Sequence, residues 1–460
     1  MQDYKKFITK KDVIFQSTGF NTKLKWNANL FEWQCDVVDW ALRKGKACLF
    51  EDCGLGKTIQ QLEWARHVHS HTKKPVIILA PLGVVEQTAK KEAVKFGYEV
   101  HICKNANDVK NGVNITNYEK IHLFDTSVFS GVVLDESSIL KNFTGHYSSS
   151  IIESFARTPY KLACTATPAP NDYMELGTHA EFVGAMTRIE MLSMFFINDM
   201  GDTGQWRLKK HAKEREFWRW VCSWAITLTN PCDLGYDGES FKLPELRYHE
   251  IIVETKSKPI FGFFTQEAAT MDERRKVRKE SIKERALAVA ELVKQYPDEQ
   301  WLIWIGLNDE ASELHTIIPN LSEVAGSTEY EERVEKMIGF SNGNVQMLLT
   351  KPKIAGFGMN WQNCGKMVFM GLSDSWESLY QAVRRSYRFG RIEPVDVYIV
   401  IEEREGKVLK NIKRKDAQAK HMIDSMVKHT KEIIKDELLN KKQKIKCKTE
   451  KMQIPAWLNL

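Results

Sequence analysis

Short apolar runs recur through the first third of the chain: ACLF at 47–50, VIILA at 76–80, VNIT at 113–116, VVLD at 132–135 and KLACT at 161–165. Runs that are apolar on both faces suit parallel strands buried between two layers of helices. After the first run, Ile59, Leu62, Ala65 and Val68 recur at helical spacing, so strand and helix alternate. The pattern predicts an α/β domain. WLIWIG at 301–306, VQMLLT at 345–350, MVFMG at 367–371 and VDVYIVI at 395–401 predict a second one on the same grounds. Between them, residues 176–250 carry Trp206, Trp218, Trp220 and Trp224 in WRLKKHAKEREFWRWVCSW, a stretch expected to be helical with its tryptophans packed inside. MDERRKVRKESIKERALAVAELVKQ, from 271, reads as a long basic helix entering the second domain. The expected division is 1–175, a helical insertion 176–295, 296–405, and a basic helical tail 406–460.

Length and charge refine this picture. A chain of 460 residues exceeds what one ordinary core organises. Its 43% hydrophobic and 27% charged content is that of a globular protein. No apolar run approaches the ~20 residues needed to span a bilayer, and MQDYKKFITKKDV at the N-terminus has no apolar core, so a cytoplasmic location without membrane contact is expected. The nine cysteines form no C-x-x-C pair and no His-bracketed set of zinc spacing, which points to reduced core residues rather than a structural metal. The net charge is +6, and residues 401–460 hold 16 Lys/Arg against 9 Asp/Glu. The excess is a C-terminal tail, densest at KKQKIKCK, 441–448. Such a run can bind polyanions through counterion release or remain a solvated tail.

Three clusters carry chemistry. EDCGLGKTIQ, 51–60, follows a predicted strand and opens a predicted helix. Gly54 and Gly56, flanking Leu55, would let the backbone approach phosphate oxygens; Lys57 would neutralise them, and Thr58 would offer a hydroxyl to Mg²⁺. Glu51 stands where the strict phosphate-loop pattern has its first glycine. VVLDESS ends a buried strand in adjacent acids, Asp135 for the metal and Glu136 for the attacking water; unpaired charge there would otherwise be costly. QAVRRSYRFGR, 381–391, spaces Arg385 and Arg388 three residues apart, on one face if the segment is helical, from which they could reach a γ-phosphate as arginine fingers.

The ordered set FEWQ, DCGLGKTIQ, LAPLGVVEQ, ITNYE, LDESSILKN, CTATPAPN, KIAGFGMN and QAVRRSYRFG resembles the motifs of superfamily 2 helicases and translocases, most closely the Snf2-like group. That group reads D-E-M-G-L-G-K-T-I-Q at the first nucleotide motif, so the acidic residue at Glu51 becomes a mark of identity. LDESSILKN is similar to members encoded by phages and prophages. The resemblance spans about residues 30 to 400 and implies two RecA-like parallel-sheet lobes closing on ATP and Mg²⁺.

Carried over by position, the resemblance implies that Gln34 reads the adenine edge with Phe31 or Trp33 near the base. Thr165, Thr167 and Gln381 would couple nucleotide state to lobe movement. Gly356, Gly358 and Asn360 would line the second lobe's side of the cleft, and DNA contacts are expected around Pro81, Asn117, Tyr118, Lys351 and Asn360. Ser138, Tyr387 and Arg391 depart from the family's His, His and Gln. The implied activity is a DNA-dependent ATPase that translocates along double-stranded DNA; a strand-separating or branch-migrating helicase and a non-hydrolysing DNA clamp are the alternatives. Implied partners are double-stranded or branched DNA, and phage or host replication, recombination or restriction proteins, around a monomeric motor.

Overall fold

The apolar runs do form strands. The computed structural model describes residues 15–142, 145–198, 206–210, 212–255, 271–355 and 359–439. Its strands are β1 (Lys46–Glu51), β2 (Val76–Ala80), β3 (Val100–Ile102), β4 (Val113–Asn117), β5 (Gly131–Asp135), β6 (Tyr160–Thr165), β7 (Phe196–Asn198), β8 (Trp206–Leu208) and β9 (Ala225–Leu228). They continue as β10 (Leu246–Val253), β11 (Trp301–Trp304), β12 (Ser322–Val324), β13 (Met347–Thr350), β14 (Lys366–Met370) and β15 (Val395–Glu402). The helices that matter below are α1 (Glu32–Lys44), α2 (Lys57–Thr72), α3 (Leu176–Val183), α4 (Ala212–Cys222), α5 (Ile282–Gln295), α6 (Trp376–Val383) and α7 (Gly406–Leu439).

Two sheets result. The first has the order β3-β4-β2-β5-β6-β1-β9 and the second β10-β15-β14-β11-β13-β12, and every pairing within them is parallel. Alternation along each strand feeds a core on either face. Ala47 and Leu49 join Val37, Trp40 and Leu62 on one side, while Cys48 and Phe50 join Phe217, Trp220 and Trp224 on the other. In the second sheet Leu302 and Trp304 pack with Trp361 and Phe369, and Trp301 and Ile303 pack with Val289 and Leu314. Two parallel sheets, each covered by helices, are the tandem RecA-like arrangement.

One buried charge ties the second lobe together. Arg285 of α5 is fully buried and donates to Glu310 at 2.8 Å and to the Met370 carbonyl at the end of β14, also at 2.8 Å. Its Nε donates to Ser281 at 3.0 Å, and Glu310 accepts the amides of Gly306 and Leu307 at 2.8 and 2.9 Å. A buried ion pair is tolerated when its remaining donors and acceptors are satisfied in this way.

Two expectations change. Residues 176–295 are not simply a helical insertion: β9 extends the first sheet beside β1, and β10 forms the edge of the second sheet beside β15. β9 has only four residues, and β10 alternates with polar positions because it lies at an edge. The tryptophans at 218, 220 and 224 are buried in the first lobe's core, as expected. The second change concerns the tail, whose stretch 406–439 is a packed 34-residue helix. Val408, Leu409 and Ile412 sit in the second lobe's core, while Met422 and Met426 sit in the first lobe's. Cys222 donates to the Met426 carbonyl at 3.4 Å, and the Tyr173 hydroxyl meets His421 at 3.0 Å. KKQKIKCK lies outside the described residues.

A solvated tail would tolerate truncation at Met426. Fully buried as it is, Met426→Ala is expected to cost about 2 to 5 kcal/mol, read as a lower denaturant midpoint for the first lobe's tryptophan fluorescence.

Candidate active site

The strand β1 ends at Glu51, and the chain turns through Cys53, Gly54, Leu55 and Gly56 into α2. Gly54 and Gly56 hold φ of 94° and 80°, left-handed values that favour glycine. Space demands glycine too: a Cβ on Gly56 would lie 2.5 Å from Gln34 Nε2, and one on Gly54 3.0 Å from Phe389. At its N-terminus α2 has neither a capping side chain nor an acid in its first turn. Such a helix end favours an anion. Lys57 Nζ donates to the carbonyls of Glu51 and Asp52 at 2.8 and 3.1 Å, and Thr58 is half-buried beside it.

Gln34, on α1, donates from Nε2 to the Leu55 carbonyl at 2.9 Å and accepts the Phe31 amide at 3.0 Å. Of the two aromatic residues expected near a base, Phe31 is half exposed while Trp33 is in the core. Trp33 is therefore corrected to a packing residue. Both rings meet Phe241 edge-on, and Phe389 of the second lobe stacks on Phe241 at 4.6 Å.

Parallel register brings the acids to the same edge. Asp135 pairs with Cys164, and Phe50 pairs with Thr165. Asp135 accepts from Gln61 Nε2 at 2.7 Å, and Tyr118 donates its hydroxyl to the Asp135 carbonyl at 2.6 Å. Glu136 has φ 51° and ψ 52°, a left-handed conformation that costs a non-glycine residue energy and persists where the surroundings enforce it. Burial raises both carboxyls above the usual carboxylate range, against the Gln61 hydrogen bond and Lys57 at Asp135. At Glu136 the charge of Asp135 adds to burial, and Lys57 and Arg385 oppose it. Glu136 thus lies within the field of a lysine from one lobe and an arginine from the other.

A carboxylate and a hydroxyl, both hard oxygen donors, suit Mg²⁺, so Asp135 and Thr58 fit that ion. Beside Ser138, His179 of α3 meets Ser137 Oγ at 3.1 Å, and burial holds its imidazole neutral, down to about 4.

The second lobe contributes α6 and the turn after it. Glu377 pairs with Lys141 and accepts from Thr167 Oγ1 at 3.4 Å, while Thr165 Oγ1 accepts the Thr167 amide at 3.1 Å. One carboxylate from the second lobe therefore bridges the LDESSILKN and TATP segments of the first. Tyr380 and Arg384 both donate to Asp52, at the start of the phosphate loop. Arg385, Arg388 and Gln381 are half-buried on the same segment. The departures have local uses: Tyr387 donates its hydroxyl to the Pro244 carbonyl at 2.9 Å, and Arg391 donates to the Gln362 carbonyl at 2.7 Å.

The residues expected at DNA divide. Pro81 and Lys351 lie half-buried just past β2 and β13, and Asn360 is exposed. Tyr118 is buried with its hydroxyl spent on Asp135, and Asn117 is buried as well. Tyr118 is corrected to a support beneath the acids, and Asn117 to a buried residue at the end of β4. Gly356 and Gly358 lie outside the described residues. Asp52, Glu377, Tyr380 and Arg384 escape sequence reasoning, since an ion pair across hundreds of residues leaves no spacing signal.

With this geometry in place, comparison with known proteins is direct. The SNF2-related domain model matches residues 33–187, and the helicase conserved C-terminal domain model matches residues 284–390. Together they cover more than half of the chain. The chain belongs to the SNF2-like helicase family. A phage relative of this SNF2-like protein, putative protein p41 of Acyrthosiphon pisum secondary endosymbiont phage 1, is 25% identical over 177 residues. That match covers 33% of this chain and 38% of the relative, so the chain spans well under half the relative's length. Among solved structures, the Sulfolobus solfataricus SWI2/SNF2 ATPase core in complex with dsDNA is similar at 19% identity and a TM-score of 0.42, over 91% of this chain and 98% of that one. Among the described residues, no helix is long and apolar enough to cross a membrane.

Glu51, the residue that departs from the strict loop, is fully buried and accepts from Gln60 at 2.7 Å. Burial pushes its carboxyl from 4.5 up to about 7, against Lys57 and Gln60. The folded chain therefore holds this proton longer than the unfolded chain does, so its contribution is intact below pH 4.5 and is lost as pH rises through about 7. Relative to wild type, Glu51→Gln should gain about 3 kcal/mol between pH 4.5 and pH 8, measured by denaturant unfolding across that range.

Proposed function

We propose that the chain is an ATP-dependent DNA translocase of the Snf2-like type, hydrolysing ATP between its lobes and moving along double-stranded DNA. The observation that carries this reading is the meeting of the two lobes at the phosphate loop, where Arg384 and Tyr380 of one donate to Asp52 of the other, and where the charges of Lys57 and Arg385 both act on Glu136.

In this reading Lys57 leaves the Glu51 and Asp52 carbonyls for the β- and γ-phosphates, which the bare N-terminus of α2 also attracts. Thr58 and Asp135 would hold Mg²⁺, which when bound neutralises phosphate charge. Glu136 orients the attacking water and accepts its proton; a carboxylate held above its ordinary range is the better acceptor. Arg385 and Arg388 stabilise charge developing on the γ-phosphate, a role worth roughly 10³ to 10⁵ in kcat elsewhere. Phe31 and Gln34 hold the base. Thr165, Thr167 and Gln381 pass the nucleotide state to the lobes, whose loops at Pro81, Lys351 and Asn360 grip the DNA backbone. The family assignment supports DNA as the track.

ATP hydrolysis measured with single-stranded, double-stranded and branched DNA tests this. The largest stimulation is expected from duplex or branched DNA, near-abolition in Lys57→Ala, and a loss of about 10³-fold in kcat in Arg385→Ala. Turnover equal with and without nucleic acid would sink the motor.

A further inference from the structure

We infer that Asp52 and Arg384 form a positioning pair that fixes Arg385 relative to Lys57 in the ATP site. The inference rests on the ATPase reading of that site. Asp52 accepts from Arg384 and from the Tyr380 hydroxyl across the lobe boundary, and from the Cys53 amide at 2.7 Å within the loop. Its own carbonyl accepts Lys57 Nζ at 3.1 Å. On the other side, the Arg384 guanidinium lies 5.2 Å from the Tyr380 ring and 5.0 Å from the Tyr387 ring, and Tyr387 is anchored to the Pro244 carbonyl at 2.9 Å.

The paired side chains of Arg384 and Asp52 retain only 11% and 14% of their exposure. Water and salt therefore screen this bond weakly. Arg384 and Arg385 are consecutive in the tight turn that follows α6, so anchoring the first fixes the backbone from which the second projects. Two positive groups of the site are in this way referred to one residue, Asp52: Lys57 through the loop backbone and Arg385 through its neighbour Arg384. Phosphoryl transfer draws most of its acceleration from such preset geometry. Loss of the pair should therefore reduce turnover more than ATP affinity.

The test uses the full chain as Arg384→Gln, Asp52→Asn and the double variant. Each single change is expected to lower DNA-stimulated kcat about tenfold or more, with KM for ATP within about threefold. The double variant is expected to be no worse than the poorer single, as groups acting together require. Hydrogen exchange without nucleotide should rise in both singles at residues 51–58 and 376–391, and not elsewhere. Additive losses, a kcat within about twofold of wild type in Arg384→Gln, or unchanged exchange in both segments would each overturn the pair. A wild type without any ATP turnover, with or without DNA, would refute the ATPase reading instead, and the exchange result would still decide the joint.

Discussion

Parallel pairing of β1 with β6 and of β6 with β5 is the constraint on which the site depends. In a parallel sheet all strands finish at one edge, so residues far apart in sequence arrive together without any loop having to aim them. Glu51, Asp135 and Thr165 end neighbouring strands for this reason. The second sheet repeats the arrangement independently, and its α6 presents Glu377, Tyr380 and Arg384 to the first. The chemistry is thus spread over the edges of two sheets, with the side chains of both meeting between them.

Burying so many charges at one boundary is costly unless each finds a partner. Asp52 is met by Arg384 and Tyr380, Glu377 by Lys141 and Thr167, and Asp135 by Gln61. Compensation is incomplete at Asp135 as it is at Glu51 and Glu136, and burial keeps all three carboxyls above their ordinary range. Glu136 also has strained backbone. Residual electrostatic cost and backbone strain therefore coincide at the edge where a polyanionic ligand is proposed to bind, while the sheets beneath are apolar and regular. A protein that stores strain needs such an over-determined scaffold.

What was legible follows the physics of burial. β1, β2, β5 and β6 announce themselves because strands covered on both faces must be continuously apolar, and the glycines at 54 and 56 announce the loop because few other residues adopt its backbone. β10 was hidden by its edge position, which alternates polar and apolar side chains, and β9 by its brevity. The packing of α7 was hidden by its own lysines, which separate Val408, Leu409 and Ile412 at one end from Met422 and Met426 further along. Trp33 and Phe31 were equivalent in sequence, two residues apart; only the direction of α1 separates a core ring from an exposed one. The bond between Asp52 and Arg384 spans 332 positions, and no periodicity could have suggested it.

The helix α7 gives the two lobes a second tie besides the segment between β9 and β10. Seated by Met422 and Met426 in one core and by Val408 and Ile412 in the other, it keeps the arginine-bearing turn beside the phosphate loop as a tethered ligand rather than a free one. Even a short flexible tether sustains an effective concentration on the order of millimolar, and a rigid one aligned to its target restricts the search further. The contacts across the cleft can therefore be individually weak and still re-form after an opening, a useful property for the ATP-driven motion proposed above.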